Sequence, residues 1–240
     1  MPLPVVISAA GRGTRMGTLA QARSKHLIEV NGRPFLAYLI DALLGAGASE
    51  LYLVVGYQAP QAYAFAERYG SRLTVVNQFE RLGEERYGTL MPVVAVTPEL
   101  VGRACSVVMG DNLYSSRDLG RFLRGSGSGL AVVRHEHPER YGVVETQTDG
   151  TLARLAEKPA APSANLINTG LYRFSPGVWP IVPEVRRSSR GEYELTDAVS
   201  LLATREPVIV TELADYWLDL GRPEDIPQVA AAIRAAAPQS

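Results

Sequence analysis

Chemistry in this chain begins at Gly11-Arg12-Gly13-Thr14-Arg15-Met16-Gly17, between the apolar run Val5–Ala9 and the segment Ser24-Lys25-His26-Leu27. A β-branched run that breaks into glycines reads as a buried strand opening into a loop. Glycines leave backbone N–H groups open to an anion, because no Cβ stands in the way. Arg15 and Lys25 add the positive charge that phosphate oxygens require. With Ala10, Gly11, Gly13 and Thr14 they outline a site for a di- or triphosphate. A plain strand-to-helix turn is the alternative, and a glycine loop alone does not exclude it.

Two common phosphate cradles fail on spacing. A Walker A loop needs four residues between its glycines and then Gly-Lys-Ser/Thr. Here Thr18 follows Gly17 where the lysine belongs. A dinucleotide fingerprint needs Gly-x-Gly-x-x-Gly and an acidic residue about 20 positions on. This loop has one residue too many, and Glu29 and Asp41 straddle the acidic position.

The elements that must position this loop follow from the apolar pattern. Leu51–Val55, Leu73–Val76, Ser106–Met109 and Leu130–Val133 read as strands. Phe35–Leu44, Gln61–Tyr69, Leu90–Val96 and Arg117–Leu123 between them have helical spacing, the first opening with Pro34 at N1 and ending near Gly45 and Gly47. This alternation predicts a three-layer α/β/α fold with a mostly parallel central sheet. Ligands in such sheets sit beyond the carboxyl ends of strands, where the glycine loop and Gly110-Asp111 both fall. Further on, Tyr141–Thr146, Thr151–Ala156 and Leu166–Phe174 read as close, partly antiparallel strands. Helical patterns follow at Pro176–Val185, Leu195–Ala203 and Pro223–Ala235. Gly125–Gly129 is Gly/Ser-rich but too short for a domain linker. The expectation is one domain over 1–240 with two functional halves, at about 1–125 and about 126–230.

A net charge of −1 gives no global field for nucleic acid or an anionic membrane. No stretch reaches the length of a membrane span, and no leader pattern precedes Val5. The single cysteine, Cys105, rules out an internal disulfide framework and points to a reducing compartment, the cytoplasm. It has no evident base partner for thiolate catalysis. His135 and His137 read as surface or strand-end residues, and His26 as packing beside Lys25 or touching phosphate.

Gly-x-Gly-Thr-Arg-Met followed by Lys25-x-Leu27-x-x-Val30-x-Gly32-x-Pro34 resembles the signature of sugar-1-phosphate nucleotidylyltransferases. The resemblance continues through Val107–Asn112, Tyr141–Glu145, Glu157-Lys158-Pro159, Asn168-Thr169-Gly170, Gly191–Asp197 and Trp217–Asp225, nearly the whole chain. It implies Asp111 and Asp219 as ligands of Mg²⁺, a hard cation suited to carboxylate oxygen. It implies catalytic roles for Arg15 and Lys25, and nucleotide contacts from Ala10, Gly11, Gly13, Thr14, Gly88 and Thr89. Gly142, Glu157, Lys158 and Asn168 would bind the acceptor. Trp217 reads as packing, and Thr196 equally as a helix cap or a substrate contact. The partners implied are a nucleoside triphosphate and a sugar 1-phosphate, with glucose 1-phosphate and dTTP or UTP first. A homo-oligomer is compatible.

The family's base loop often carries Gln-Pro upstream of Gly-Leu-Ala or Gly-Thr-Ala. Here Asn77…Tyr87-Gly88-Thr89-Leu90 also resembles cytidylyltransferases acting on alcohol phosphates, which is the rival reading. A non-catalytic nucleotide-sensing subunit is the rival of another class. The presence of Arg15, Lys25, Asp111 and Asp219 argues against it.

Overall fold

The computed structural model describes residues 3–13, 16, 17, 19 and 24–236. Its centre is a nine-stranded sheet. β1 (Val5–Ala9) lies between β4 (Leu51–Val55) and β6 (Cys105–Met109), and β5 (Leu73–Asn77) forms the edge beyond β4, all parallel. β11 (Leu166–Phe174) runs antiparallel between β6 and β8 (Ser128–Arg134). β12 (Val208–Glu212) continues parallel to β8. β9 (Gly142–Thr146) and β10 (Leu152–Glu157) form an antiparallel hairpin joined to the first part of β11 through Ile167 and Val143. The expected mixed, mostly parallel sheet is therefore present, with β11 and the edge strand β10 as the reversed strands. Two-stranded ribbons flank it: β2 (Glu29–Val30) with β3 (Arg33–Pro34), and β7 (Asn112–Tyr114) with β13 (Trp217–Asp219).

Alternation along the strands makes the three layers. Val5 and Ile7 of β1 and Leu51 and Leu53 of β4 face one core, under α1 (Phe35–Gly45) and α2 (Ala59–Ala66). Val6, Val54 and Val107 face the other. That second face is covered by α4 (Met91–Ala95) and α8 (Leu195–Ala203). The remaining helices are α3 (Gln78–Leu82), α5 (Thr97–Leu100), α6 (Ser116–Leu123), α7 (Val178–Ile181) and α9 (Ile226–Ala236). No helix among the described residues is long and apolar enough to cross a membrane.

Some expected elements are shorter or broken. Gln61–Tyr69 is α2, starting at Ala59, followed by a 3-10 turn over Glu67–Arg72 in which Gly70 has φ 55°. Pro176–Val185 is α7 and then a 3-10 turn at Val182–Glu184, because Pro183 has no N–H for an i−4 bond. Leu90–Val96 holds only the short α4, and α5 begins just beyond it at Thr97. Pro34 is the N-cap of α1 and not its first helical residue. The strand expected over Leu130–Val133 is β8, which starts two residues earlier, at Ser128.

Candidate active site

β1 and β6 are adjacent and parallel, so the segments after Ala9 and Met109 leave the sheet side by side. A cleft of about 380 Å³ opens there. It gathers Ala10, Gly11, Lys25, Gly88, Thr89 and Asp111 against Glu157 and Lys158. Gly110 fits under this crossing because a Cβ would stand 2.9 Å from the Ser8 carbonyl oxygen. Among the expected residues, Thr14 and Arg15 lie outside those described. Gly13, at φ 65°, is two residues beyond the lining glycine. Arg12 reaches across to Glu84 at 3.0 Å, linking the glycine loop to the loop that carries Gly88.

Lys25 donates to Asp111 at 2.5 Å, and both side chains are mostly buried. Burial, the largest influence, would raise the Asp111 carboxyl, but the Lys25 charge and hydrogen bond, with His26 and a backbone N–H, together hold the group below its ordinary value. His26, beside them, is buried. Desolvation and then the Lys25 charge push its imidazole down to about 3, so it stands neutral at physiological pH.

Asp219 comes to Asp111 through the β7–β13 ribbon. That pairing sets Asp219 opposite Asn112, and the Leu220 N–H donates to the Asp111 carbonyl at 2.8 Å. Tyr114 registers both carboxylates. Burial raises its hydroxyl first, then Asp111, with Asp219 acting in the same direction. Among the described residues no three His, Cys, Asp or Glu side chains form a metal-holding group. Asp111 lines this cleft, whereas Asp219 lines another pocket with Tyr141, Trp217 and Asp225; a hard cation that completes its shell with water and phosphate needs only one or two such carboxylates.

The residues expected on the acceptor side lie at the β9–β10–β11 junction. Gly142 pairs with Glu157 in register. A Cβ on it would lie 3.3 Å from a Glu157 carboxylate oxygen and 3.4 Å from the Asn168 Cβ. Asn168 Oδ1 accepts from the Gly170 N–H, and its amide donates to the Tyr172 hydroxyl. Lys158 takes φ 44°, an uncommon backbone for a residue with a Cβ, and its N–H donates to the Tyr141 carbonyl at 3.0 Å. Gly142 and Asn168 thus shape this wall, while Glu157 and Lys158 line the cleft.

Sequence reasoning missed two residues here. Arg190 bonds Glu157 at 3.1 Å and lies 3.6 Å and 3.7 Å from Glu194 and Glu192. The neighbouring Gly191-Glu192 motif was its signal. Gln78 is 2% exposed, lines the cleft, and has a carbonyl oxygen with no partner among the described residues. Its signal was its place at the end of the β5 strand. Asn77 instead caps α3, accepting from the Phe79 and Glu80 N–H groups, so its side chain serves the helix and not the cleft. The Thr89 hydroxyl accepts from the Leu195 N–H at 2.8 Å and so caps α8 from outside. Thr196 is not the cap; it sits inside α8 with a buried, unpartnered hydroxyl. Trp217 packs on the first core and against Tyr141, ring centroids 5.6 Å apart. Cys105 is buried, and desolvation pushes its thiol up to about 12.

Reversed strands in a mostly parallel sheet, with a glycine loop and a buried Lys25–Asp111 pair at the ends of β1 and β6, define an α/β protein with its cleft at the strand ends. The chain belongs to the nucleotidyl transferase family, which it matches over residues 4–236. It is 32% identical over 233 residues to the UTP–glucose-1-phosphate uridylyltransferase AglF of Haloferax volcanii, covering 93% of each chain. It is 30% identical to a glucose-1-phosphate thymidylyltransferase of Streptomyces griseus, covering 95% of this chain and 65% of that one. It spans about half, 52%, of the bifunctional protein GlmU of Methanocaldococcus jannaschii, at 31% identity over 93% of this chain. Among solved structures, a putative glucose-1-phosphate thymidylyltransferase of Bacillus anthracis shares the fold, with a TM-score of 0.83 at 22% identity over 99% of this chain and 97% of that one. A UDP-glucose pyrophosphorylase complexed with UDP-glucose gives the same TM-score at 18% identity, over 99% and 100% of the two chains.

Proposed function

We propose that this nucleotidyltransferase moves a nucleotidyl group from a nucleoside triphosphate to a sugar 1-phosphate and releases pyrophosphate. One observation carries the reading: a single cleft at the β1 and β6 ends joins Gly11, Lys25 and Asp111 to Glu157, Lys158 and Arg190. An oxygen of the acceptor phosphate attacks the α-phosphorus, the bond to the β-phosphate oxygen breaks, and pyrophosphate leaves. The nucleophile is already anionic, because a phosphate monoester has a second pKa of about 6. No general base is needed, in keeping with a neutral, buried His26. The obstacle is bringing two anions together, so positioning and charge carry the catalysis. Lys25 meets charge at the α-phosphate, the backbone after Ala10 and Arg15 hold the departing phosphates, and Lys158 guides the incoming one. Glu157 orients sugar hydroxyls. Asp111 and Asp219 would hold Mg²⁺, which supplies a Lewis acid at the α-phosphate oxygens.

The names of the relatives favour UTP or dTTP with glucose 1-phosphate as substrates. The capping role of Asn77 weakens the cytidylyltransferase likeness, because that side chain is committed to α3. The cytoplasm is the proposed setting. A matrix of five nucleoside triphosphates against several sugar and polyol phosphates, scored by pyrophosphate release, tests the reading. Release with UTP or dTTP and a sugar 1-phosphate is expected. Release only with CTP and a polyol phosphate overturns it.

A further inference from the structure

Glu194 takes no part in the transfer chemistry, yet it sits in the wall of the cleft with its side chain 4% exposed. Burial raises its carboxyl, the Arg190 charge opposes that, and Glu157 and Glu192 raise it again. A buried carboxylate is costly unless it is paired and hydrogen-bonded. Its partners therefore show what it holds. The Thr89 hydroxyl donates to one of its oxygens at 3.4 Å, and the Ser188 hydroxyl to the other at 3.3 Å. The Arg190 guanidinium stands 3.6 Å from that second oxygen.

These partners belong to opposite ends of the cleft. Thr89 follows Gly88 on the loop that the resemblance assigns to the nucleotide. Its hydroxyl also accepts from the Leu195 N–H at 2.8 Å. The same loop is bonded to Tyr193 along the backbone. The Tyr87 carbonyl accepts from the Tyr193 N–H at 3.1 Å, and the Leu90 N–H donates to the Tyr193 carbonyl at 3.0 Å. A Cβ at Gly88 would stand 2.3 Å from the Tyr193 oxygen, so the two backbones touch. Arg187 adds a bond to the Glu85 carbonyl at 3.1 Å. At the acceptor end, Ser188 and Gly191 close a tight turn. The Ser188 N–H donates to the Glu192 carbonyl and the Gly191 N–H to the Ser188 carbonyl, each at 2.8 Å. The Ser188 hydroxyl accepts from the Arg190 N–H at 3.2 Å, and the Arg190 side chain reaches Glu157 at 3.1 Å.

We propose that Glu194 is a positioning residue that ties the Gly88-Thr89 loop to Arg190, so that a bound nucleotide and a bound sugar phosphate strengthen each other's binding. This rests on the nucleotidyl-transfer reading and adds what links the two halves of the site. The contacts run without a gap from Thr89 through Glu194 and Ser188 to Arg190 and Glu157. A nucleotide that settles the loop settles Arg190 with it. The second ligand then meets a segment already ordered, which lowers the entropy cost of its own binding. Linkage makes the effect equal in both directions.

The test uses the full chain with Mg²⁺ and two ligands: glucose 1-phosphate, and an α,β-methylene analogue of UTP whose bridging carbon blocks release of pyrophosphate. The dissociation constant of each is measured alone and with the other saturating. In the unaltered chain each is expected to tighten the other by at least about 5-fold. Glu194→Gln keeps the size and an oxygen for Thr89 but removes the charge facing Arg190, and should bring that factor below about 2-fold. Ser188→Ala leaves Glu194 in place and cuts its hold on the turn, and should reduce the factor to roughly half. This second variant decides the matter if Glu194→Gln does not fold. A merely structural role would weaken each ligand alone and leave the factor as it was, and that outcome overturns the assignment. Pyrophosphate release from UTP and glucose 1-phosphate by the unaltered chain separates the two levels. If release is normal and both ligands bind without affecting each other, only the coupling fails. If the unaltered chain binds neither ligand and releases no pyrophosphate with any nucleotide and sugar phosphate, the transfer reading fails and takes this one with it.

Discussion

Lys158 combines an unfavourable backbone with the charge proposed to meet the acceptor phosphate. A non-glycine residue at φ 44° carries a steric cost that only glycine escapes. Lys158→Gly and Lys158→Ala both remove the ammonium, but only the first relieves the backbone. Both variants should raise the KM for the sugar phosphate and lower kcat, with the KM for the nucleotide little changed. Lys158→Gly should also be about 1 kcal/mol more stable than Lys158→Ala, a difference of roughly 2–4 °C in Tm. Calorimetry beside steady-state kinetics checks both halves, and equal melting temperatures would show that the backbone is not strained there. Asp111→Asn keeps the shape and removes the charge opposite Lys25. Pyrophosphate release should drop at least about 100-fold with circular dichroism unchanged; near-normal turnover would remove Asp111 from the metal site. Lys158 and Asp111 were legible in sequence because each sits in a motif with its own spacing. Arg190 was not, because it lies just outside the Gly191–Asp197 segment and only the fold sets Glu157, Glu192 and Glu194 around it.

At the scale of elements, the Gly125–Gly129 run shows how composition misleads. Gly/Ser-rich and too short for a domain linker, it is a cradle for the buried Arg173 on β11. The Arg173 guanidinium donates to the carbonyls of Phe122, Ser126 and Gly127. A Cβ at Gly125 would stand 2.2 Å from it, and one at Gly129 3.2 Å. No carboxylate among the described residues pairs with Arg173, and desolvation accordingly lowers its pKa. The carbonyl ends of α6 take the place of a counter-ion, since a helix C-terminus favours a cation. Arg173→Lys keeps a charge but cannot donate to three fixed carbonyls at once. It should destabilise the chain by about 2–4 kcal/mol in urea unfolding, with Arg173→Met at least as damaging. Loss below about 1 kcal/mol would mean the carbonyls find other donors. Long amphipathic α1 and the apolar strands were readable because burial sets their period. β7, β12 and β13 were not, since each is short and depends on a partner distant in sequence.

At the scale of the molecule, Cys105 reports on whether the sheet opens as one body. It is fully buried in β6, paired through Phe174 with β11, and packed in the second core. Its folded-state thiol, raised to about 12 from 9.0, favours the protonated native state; that contribution is complete below pH 9 and is lost as pH rises through 12. Alkylation at pH 8 therefore requires opening of β6, and β6 also carries the segment to Asp111. A ligand that binds only the closed molecule lowers the open population by its saturation factor. UTP with Mg²⁺ at 100 times its dissociation constant should slow labelling about 100-fold, and Asp111→Asn should remove most of that protection. Protection equal to the stabilisation seen in urea would show that β6 opens only when the whole molecule unfolds. Labelling that ignores the ligand would place the opening of β6 in a local fluctuation uncoupled from the site, and the sheet would no longer be one cooperative unit.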